Sequence, residues 1–291
     1  MRAARRRAAT APHAPAGAQR LRAAFATARG GGRRAALMPF AVAGFPTLDG
    51  SREIGAAYAD GGADVVELGI ACSDPHADGP VIREAGAAAL RAGTSVDDAL
   101  DVARGLAPRV PVVVMCYAPL VLARGLPAFA DDLRDAGVSG LIVPDLAPQQ
   151  APAVLDALAA AGVALVPVVG PATPIGALTR AARQARGFVY VASTSGPTGE
   201  RAALSAGVGS LVGRVKEHSS VPVALGFGIS CPAQAAHAAR AGADGVIVGS
   251  RLVRAAAEAA DPPAAVRDLV AAFSAALEDG LHAAPAAATI S

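Results

Sequence analysis

The run Val65-Val66-Glu67-Leu68-Gly69 sets one carboxylate inside an otherwise apolar segment of strand length. Burial among apolar side chains favours the neutral carboxyl, so its pKa rises toward the range where it can both give and take a proton. No Lys or Arg between Ala59 and Ile82 offers it a local partner. The segment Ser73-Asp74-Pro75-His76-Ala77-Asp78-Gly79-Pro80 follows closely. Two carboxylates four apart, framed by two prolines and a glycine, read as a stiff loop that holds acids beside Glu67. Asp74, His76 and Asp78 alternate as hard metal ligands would, yet His13, His218, His237 and His282 lie in a tail, on or near predicted helices, or near the C terminus. His76 and carboxylates alone make a poor site, so no metal is expected.

Three glycine-rich turns suggest an anion. They read Ser193-Thr194-Ser195-Gly196-Pro197-Thr198-Gly199, Gly226-Phe227-Gly228-Ile229-Ser230 and Gly249-Ser250. Glycine lets backbone N–H groups approach a phosphate closely, and a helix starting after the turn adds its dipole. Ser250 is a further donor, and Arg251 could add charge unless its helix turns it away. Lys216 is the only lysine, and it falls in a predicted helix rather than at a strand end. Schiff-base chemistry needs such a lysine. A phosphorylated substrate undergoing C–C bond chemistry would therefore have to supply its own electron sink, and a protonatable heteroaromatic ring is one answer.

The elements that must position these groups follow from hydrophobic pattern. Apolar runs bounded by Gly or Pro occur at Leu37–Ala43, Asp64–Leu68, Pro111–Cys116, Gly140–Val143, Ala164–Val168, Gly187–Ala192, Pro222–Leu225 and Gly245–Val248. Continuous apolarity indicates strands of a parallel sheet buried on both faces. Helical spacing is seen between them, as in Leu122–Ala136, Ala151–Ala161 and Pro232–Ala241. The joints Gly61-Gly62-Ala63-Asp64, Ala136-Gly137-Val138-Ser139 and Ala241-Gly242-Ala243-Asp244 place a glycine just past a helix, where a left-handed cap belongs. Eight such units predict an α/β fold of the (β/α)8 TIM-barrel type, whose chemistry sits at the C-terminal ends of the strands. An extended loop after strand 2 and a long loop after strand 6 carry the acids and the first glycine-rich turn.

Composition is consistent with one large domain. The 291 residues are 53% hydrophobic and 17% charged, which excludes overall disorder. Net charge is +2, but the nine Arg of residues 1–34 exceed it, so the rest is acidic and carries no basic stripe for nucleic acid. We expect residues 1–17 to be a disordered Arg/Ala-rich extension rather than a transit peptide, 18–283 a single catalytic barrel, and 284–291 a disordered tail. No apolar run is long enough to span a membrane. Three cysteines without a CxxC pair fit a reducing, cytoplasmic setting.

The run Val66-Glu67-Leu68-Gly69-Ile70 with Ser73-Asp74-Pro75-His76-Ala77-Asp78-Gly79-Pro80 resembles the signature of the tryptophan synthase alpha chain family. So do Pro39-Phe40, Ala43-Gly44-Phe45-Pro46, Met115-Cys116-Tyr117-Ala118, Gly140-Leu141-Ile142-Val143-Pro144-Asp145-Leu146, Ser195-Gly196-Pro197-Thr198-Gly199 and Gly226-Phe227-Gly228-Ile229-Ser230. The resemblance implies retro-aldol cleavage of indole-3-glycerol phosphate to indole and glyceraldehyde 3-phosphate. It gives Glu67 the acid/base role, Asp78 the indole N–H, and Tyr190 a place lining the site. Thr198 would hold the sixth loop against the second. Gly199, Gly228, Gly249 and Ser250 would take the phosphate, and Phe40 and Phe227 would flank the indole. It further implies no cofactor in this chain, with pyridoxal phosphate on a beta-chain partner in an alpha2-beta2 assembly.

Ala71 and Cys72 stand where the family usually has Pro-Phe, His76 replaces Leu, Gly86 and Pro119 replace Asn, and Arg83 replaces Gln. The second loop meets the beta chain in this family, with Asp74 matching a residue used there, so these departures bear on coupling more than on chemistry. Two alternatives are a stand-alone lyase releasing free indole and a non-catalytic phosphate-binding barrel. A metal-dependent aldolase is a minor third.

Overall fold

The computed structural model describes residues 16–194, 198–201, 204 and 207–278; residues 1–15 of the expected 1–17 extension, the expected tail, and Ser195-Gly196-Pro197 lie outside them, while Ala16 and Gly17 open the first helix. Among the described residues the strands are β1 Ala36–Val42, β2 Val66–Gly69, β3 Val112–Met115, β4 Gly140–Ile142, β5 Ala164–Leu165, β6 Val168–Val169, β7 Val189–Ala192, β8 Val223–Gly226 and β9 Gly245–Val248. All pair in parallel, in the order β5-β4-β3-β2-β1-β9-β8-β7-β6.

The two ends of that order are neighbours in sequence. β5 and β6 are halves of one strand separated by Val166-Pro167, so the sheet closes on itself as a (β/α)8 barrel. Val166 N–H donates to Leu141 O at 2.9 Å on one side, and Tyr190 N–H donates to Pro167 O at 3.0 Å on the other. The sequence pattern predicts one continuous fifth strand over Ala164–Val168. Pro167 breaks it because proline has no N–H to give the ladder.

The helices are α1 Ala16–Gly30, α2 Leu48–Asp60, α3 Pro80–Arg91, α4 Val96–Leu106, α5 Ala118–Arg124 and α6 Leu126–Asp135. They continue with α7 Ala151–Ala161, α8 Ile175–Gln184, α9 Val208–Lys216, α10 Pro232–Arg240, α11 Ser250–Glu258 and α12 Pro262–Ala276. The expected helix Leu122–Ala136 is in fact two. Gly125, at φ 82°, ends α5, and Pro127 belongs to the first turn of α6. Gly62, Gly137 and Gly242 take φ of 95°, 72° and 99°, as the repeated helix-to-strand joints predict. Asp64, expected as the first residue of a strand, instead spends its carboxylate on the chain. It accepts from Leu37 N at 2.8 Å and from the Arg33 guanidinium. Asp244 does the same for Val223 N at 2.9 Å, and the sole lysine, Lys216, pairs with it at 2.9 Å on the barrel exterior. Among the described residues no helix is long and apolar enough to cross a membrane.

Strand residues alternate strictly between two cores. Val112 and Val114 face the helices while Val113 faces the barrel interior, and Leu141 and Ile142 divide the same way. This two-residue period fixes the site, since Val66 and Leu68 both pack outward and Glu67 between them must point in. The opposite end of the interior is filled by α1. Leu21 and Phe25 insert beneath the strands, Phe25 lying 5.7 Å from the Phe188 ring. A Cβ at Gly187 would sit 2.4 Å from Leu21 Cδ1, and one at Gly245 would sit 2.9 Å from Phe25 Cε1, so glycine at these strand starts admits the plug. Leu21 is fully buried. Leu21→Ala is expected to lower unfolding free energy by about 2–5 kcal/mol in urea titration; a loss within error would show that α1 does not seal the barrel.

Candidate active site

A cavity of about 300 Å³ opens at the C-terminal ends of the strands. Phe40, Glu67, Asp78, Tyr190, Thr198, Gly199, Phe227, Gly228, Gly249 and Ser250, spread over more than two hundred residues of sequence, all line it. So do His76 and Thr194, while Asp74 and Arg251 do not. Among the described residues, His, Cys, Asp and Glu form no group of three or more able to hold a metal ion.

At one end stand the acids. Glu67 is 2% exposed and its Oε2 has no hydrogen-bond partner among the described residues. Burial, reinforced by the negative charge of Asp78, pushes its pKa up to about 8. Asp78 is 6% exposed; burial lifts its pKa to about 6, held back by a hydrogen bond from Tyr117 and by the charges of Arg83 and His76. The two carboxyls thus differ near neutral pH. Glu67 is protonated and able to donate, while Asp78 is largely ionised and able to accept.

Tyr117, part of the matching run Met115-Cys116-Tyr117-Ala118 but given no role from the sequence, bears on Asp78 directly. Its hydroxyl accepts from Ala77 N at 3.2 Å while donating to Asp78, and its ring lies 5.1 Å from that of His76. The available signal was its position, directly after β3 at the catalytic end of the barrel. Arg83, one of the departures from the family pattern, reaches back from α3 to Pro75 O at 3.2 Å and braces the same loop.

Thr198 joins this loop to the one after β7. Gly79 N–H donates to Thr198 Oγ1 at 2.6 Å, and Thr198 N–H donates to Ala77 O at 3.2 Å. A Cβ on Gly79 would lie 1.6 Å from the Thr198 carbonyl oxygen, so no larger residue permits this approach.

At the far end Gly228 and Gly249 bring backbone without side chains to the cavity wall. Gly228 has φ 82°, and Phe227 before it adopts φ 70°, a strained conformation for an aromatic residue. Ser193 Oγ donates to Phe227 O at 2.7 Å and secures it; the sequence places this serine in the first glycine-rich turn but does not assign it this role. Gly249 caps α11, whose first residue, Ser250, is buried against the cavity. A helix N-terminus with a serine at its first position and glycine turns beside it suits a phosphate. Met115, Ile142, Val168 and Ile247 line the apolar middle, with Tyr190 edge-on to Phe227 at 5.8 Å. The volume and polarity fit a flat aromatic ring joined to a phosphorylated chain.

The raised Glu67 pKa has a sign for stability. Between the ordinary glutamate value and about 8 the folded chain keeps a proton that the unfolded chain has lost, so this group's contribution declines as pH rises through that window. Glu67→Gln should therefore be about as stable as the natural protein near pH 4 and more stable at pH 8, by a few kcal/mol at most (about 1.4 per pKa unit). Urea titrations at both pH values check this, and a pH-independent difference would contradict it.

A family model described as tryptophan synthase alpha chain matches residues 25–282. The tryptophan synthase alpha chain of Prochlorococcus marinus (strain MIT 9313) is 44% identical over 229 residues, covering 78% of this chain and 83% of that one. The Geobacter sulfurreducens tryptophan synthase alpha chain is 43% identical over 223 residues, covering 76% and 84%. A solved structure of Mycobacterium tuberculosis tryptophan synthase superposes with a TM-score of 0.84 at 40% identity, over 90% of this chain and 99% of its own. With its barrel, its paired acids and its glycine turns, this chain belongs to the tryptophan synthase alpha chain family.

Proposed function

We propose that the chain is a lyase that cleaves indole-3-glycerol phosphate to indole and glyceraldehyde 3-phosphate. The observation that carries this reading is the pair of buried carboxyls, Glu67 and Asp78, raised to different degrees and sharing one cavity with an anion-binding end. Protonated Glu67 gives its proton to indole C3, which turns the ring into an iminium whose N–H is held by the Asp78 carboxylate. Glu67, now ionised, takes the proton of the hydroxyl on the adjacent carbon. The electrons of the C–C bond flow into the iminium, restoring the indole, and the hydroxyl carbon becomes the aldehyde. Protons and electrons balance, with Glu67 ending as it began.

The ring is its own electron sink, so no lysine or cofactor in this chain is required. Phe40 and Phe227 flank the ring, and Tyr190 lines the site beside Glu67. Gly199, Gly228, Gly249 and Ser250 hold the phosphate, and Thr198 keeps the loop bearing Asp78 in place. The partner in this reading is a beta chain, which carries pyridoxal phosphate and forms an alpha2-beta2 assembly through a surface that includes exposed Asp74.

Glu67→Gln is expected to reduce kcat by about 10²–10⁴ with little change in KM. In the natural protein kcat/KM should rise through about pH 6 as Asp78 ionises and fall above about pH 8 as Glu67 loses its proton. A variant retaining full activity, or a profile flat across that range, would sink the assignment. Steady-state indole release with and without added beta chain tests the partnership. A steep rise on addition is expected, while an already maximal rate in its absence would favour a stand-alone enzyme.

A further inference from the structure

Gln234 lies outside the cavity, is 9% exposed, and is one of few buried polar side chains. It is the third residue of α10, and its Oε1 accepts from Ser230 N–H at 2.7 Å. Ser230 precedes the N-cap residue Cys231, and a glutamate carboxylate at position 234 could accept its N–H equally well. The other half of the amide does what a carboxylate cannot. Because Ser230 N–H can only donate, Oε1 must face it, and Nε2 is thereby turned toward Arg201 O, 2.7 Å away. Ser230 Oγ, with a single proton, stands 3.1 Å from Gln234 Oε1 and 3.2 Å from the same carbonyl.

Residues 198–201 form a short strap beside the site, with Thr198 and Gly199 on the cavity wall. Its first residue is tied to the Asp78 loop by the two Thr198 bonds. Glu200 then bridges Gly228, and its carboxylate pairs with Arg254 at 2.7 Å. At the end of the strap, the Arg201 side chain lies over Gly228, so close that a Cβ there would sit 2.9 Å from Arg201 Cδ. Its guanidinium reaches Thr194 Oγ1, on the cavity wall, at 3.3 Å. The strap is therefore anchored to the acid loop at one end and by the Gln234 amide at the other, where it meets the glycine turn.

We infer that Gln234 is a positioning residue for the phosphate end of the site: through its amide donor to Arg201 O it seats the strap against Gly228 and holds the Arg201 cation beside the bound phosphate. This rests on the function proposed above. The two products of that reaction separate the effect, because only one carries phosphate. Gln234→Glu keeps the acceptor for Ser230 N–H and loses the donor to Arg201 O, and Gln234→Met loses both without adding charge. In each variant the inhibition constant of glyceraldehyde 3-phosphate should rise about tenfold, the effect of a lost hydrogen bond, with that of indole changed by less than about twofold. KM for the substrate should rise with the former, and kcat should change less. Natural inhibition by glyceraldehyde 3-phosphate in both variants, a loss confined to Gln234→Glu, or equal weakening of both products would overturn the inference. Natural protein that releases no indole would overturn the reading beneath it and the inference with it.

Discussion

The closed parallel sheet is the constraint on which the site depends. In a strand buried on both faces, period two leaves each side chain only two destinations, and Val66 and Leu68 take the outward one. Glu67 is thereby committed to the barrel interior, where its Oε2 has no hydrogen-bond partner among the described residues. Desolvation then does to this carboxyl what no sequence neighbour does: it keeps the proton on near neutral pH. The fold holds a stability-lowering group, and the energy of the surrounding apolar packing offsets it.

A barrel strand can place one acid but not two at separately tuned pKa values. Asp78 comes instead from the loop after β2, and a loop has to be fixed by contacts. Three neighbours do this. Tyr117 bonds both Ala77 N–H and the Asp78 carboxyl, Arg83 braces the Pro75 carbonyl, and Thr198 closes over Gly79. The hydrogen bond from Tyr117 and the nearby cations oppose burial and leave Asp78 lower than Glu67. Different surroundings thus divide two chemically similar groups between donor and acceptor.

What was legible in the sequence divides along the same line. Strand positions and the burial of Glu67 follow from local pattern, because sheet geometry acts residue by residue. The glycine turns were legible too, since backbone approach and positive φ exclude other residues, as at Gly79 and Gly228. The break at Pro167 and the split at Gly125 were visible as residues, but their consequences depend on which N–H groups the neighbouring strand or turn needs. The roles of Tyr117, Ser193 and Gln234 were not legible. Each acts through a partner distant in sequence (Ala77, Phe227 and Arg201), and a single tyrosine, serine or glutamine has no pattern of its own.

The departures from the family pattern show why this site tolerates change in one direction only. A Cβ at Gly86 would meet nothing nearer than the Ala71 Cβ at 3.8 Å, so the two small residues face each other across slack space behind the loop. On the cavity side the tolerance vanishes, since the same test at Gly79 gives 1.6 Å and at Gly226 gives 2.2 Å to the Tyr190 hydroxyl. The loop is thus close-fitted where Gly79 meets Thr198 and has more room where Ala71 faces Gly86 of α3. Arg83, bonded to the Pro75 carbonyl, holds by a polar contact what tighter packing at Ala71 and Gly86 would otherwise hold. Substitution at the back of the loop can alter the outer surface, which includes exposed Ser73 and Asp74, while the geometry of Asp78 is kept by Tyr117 and Thr198.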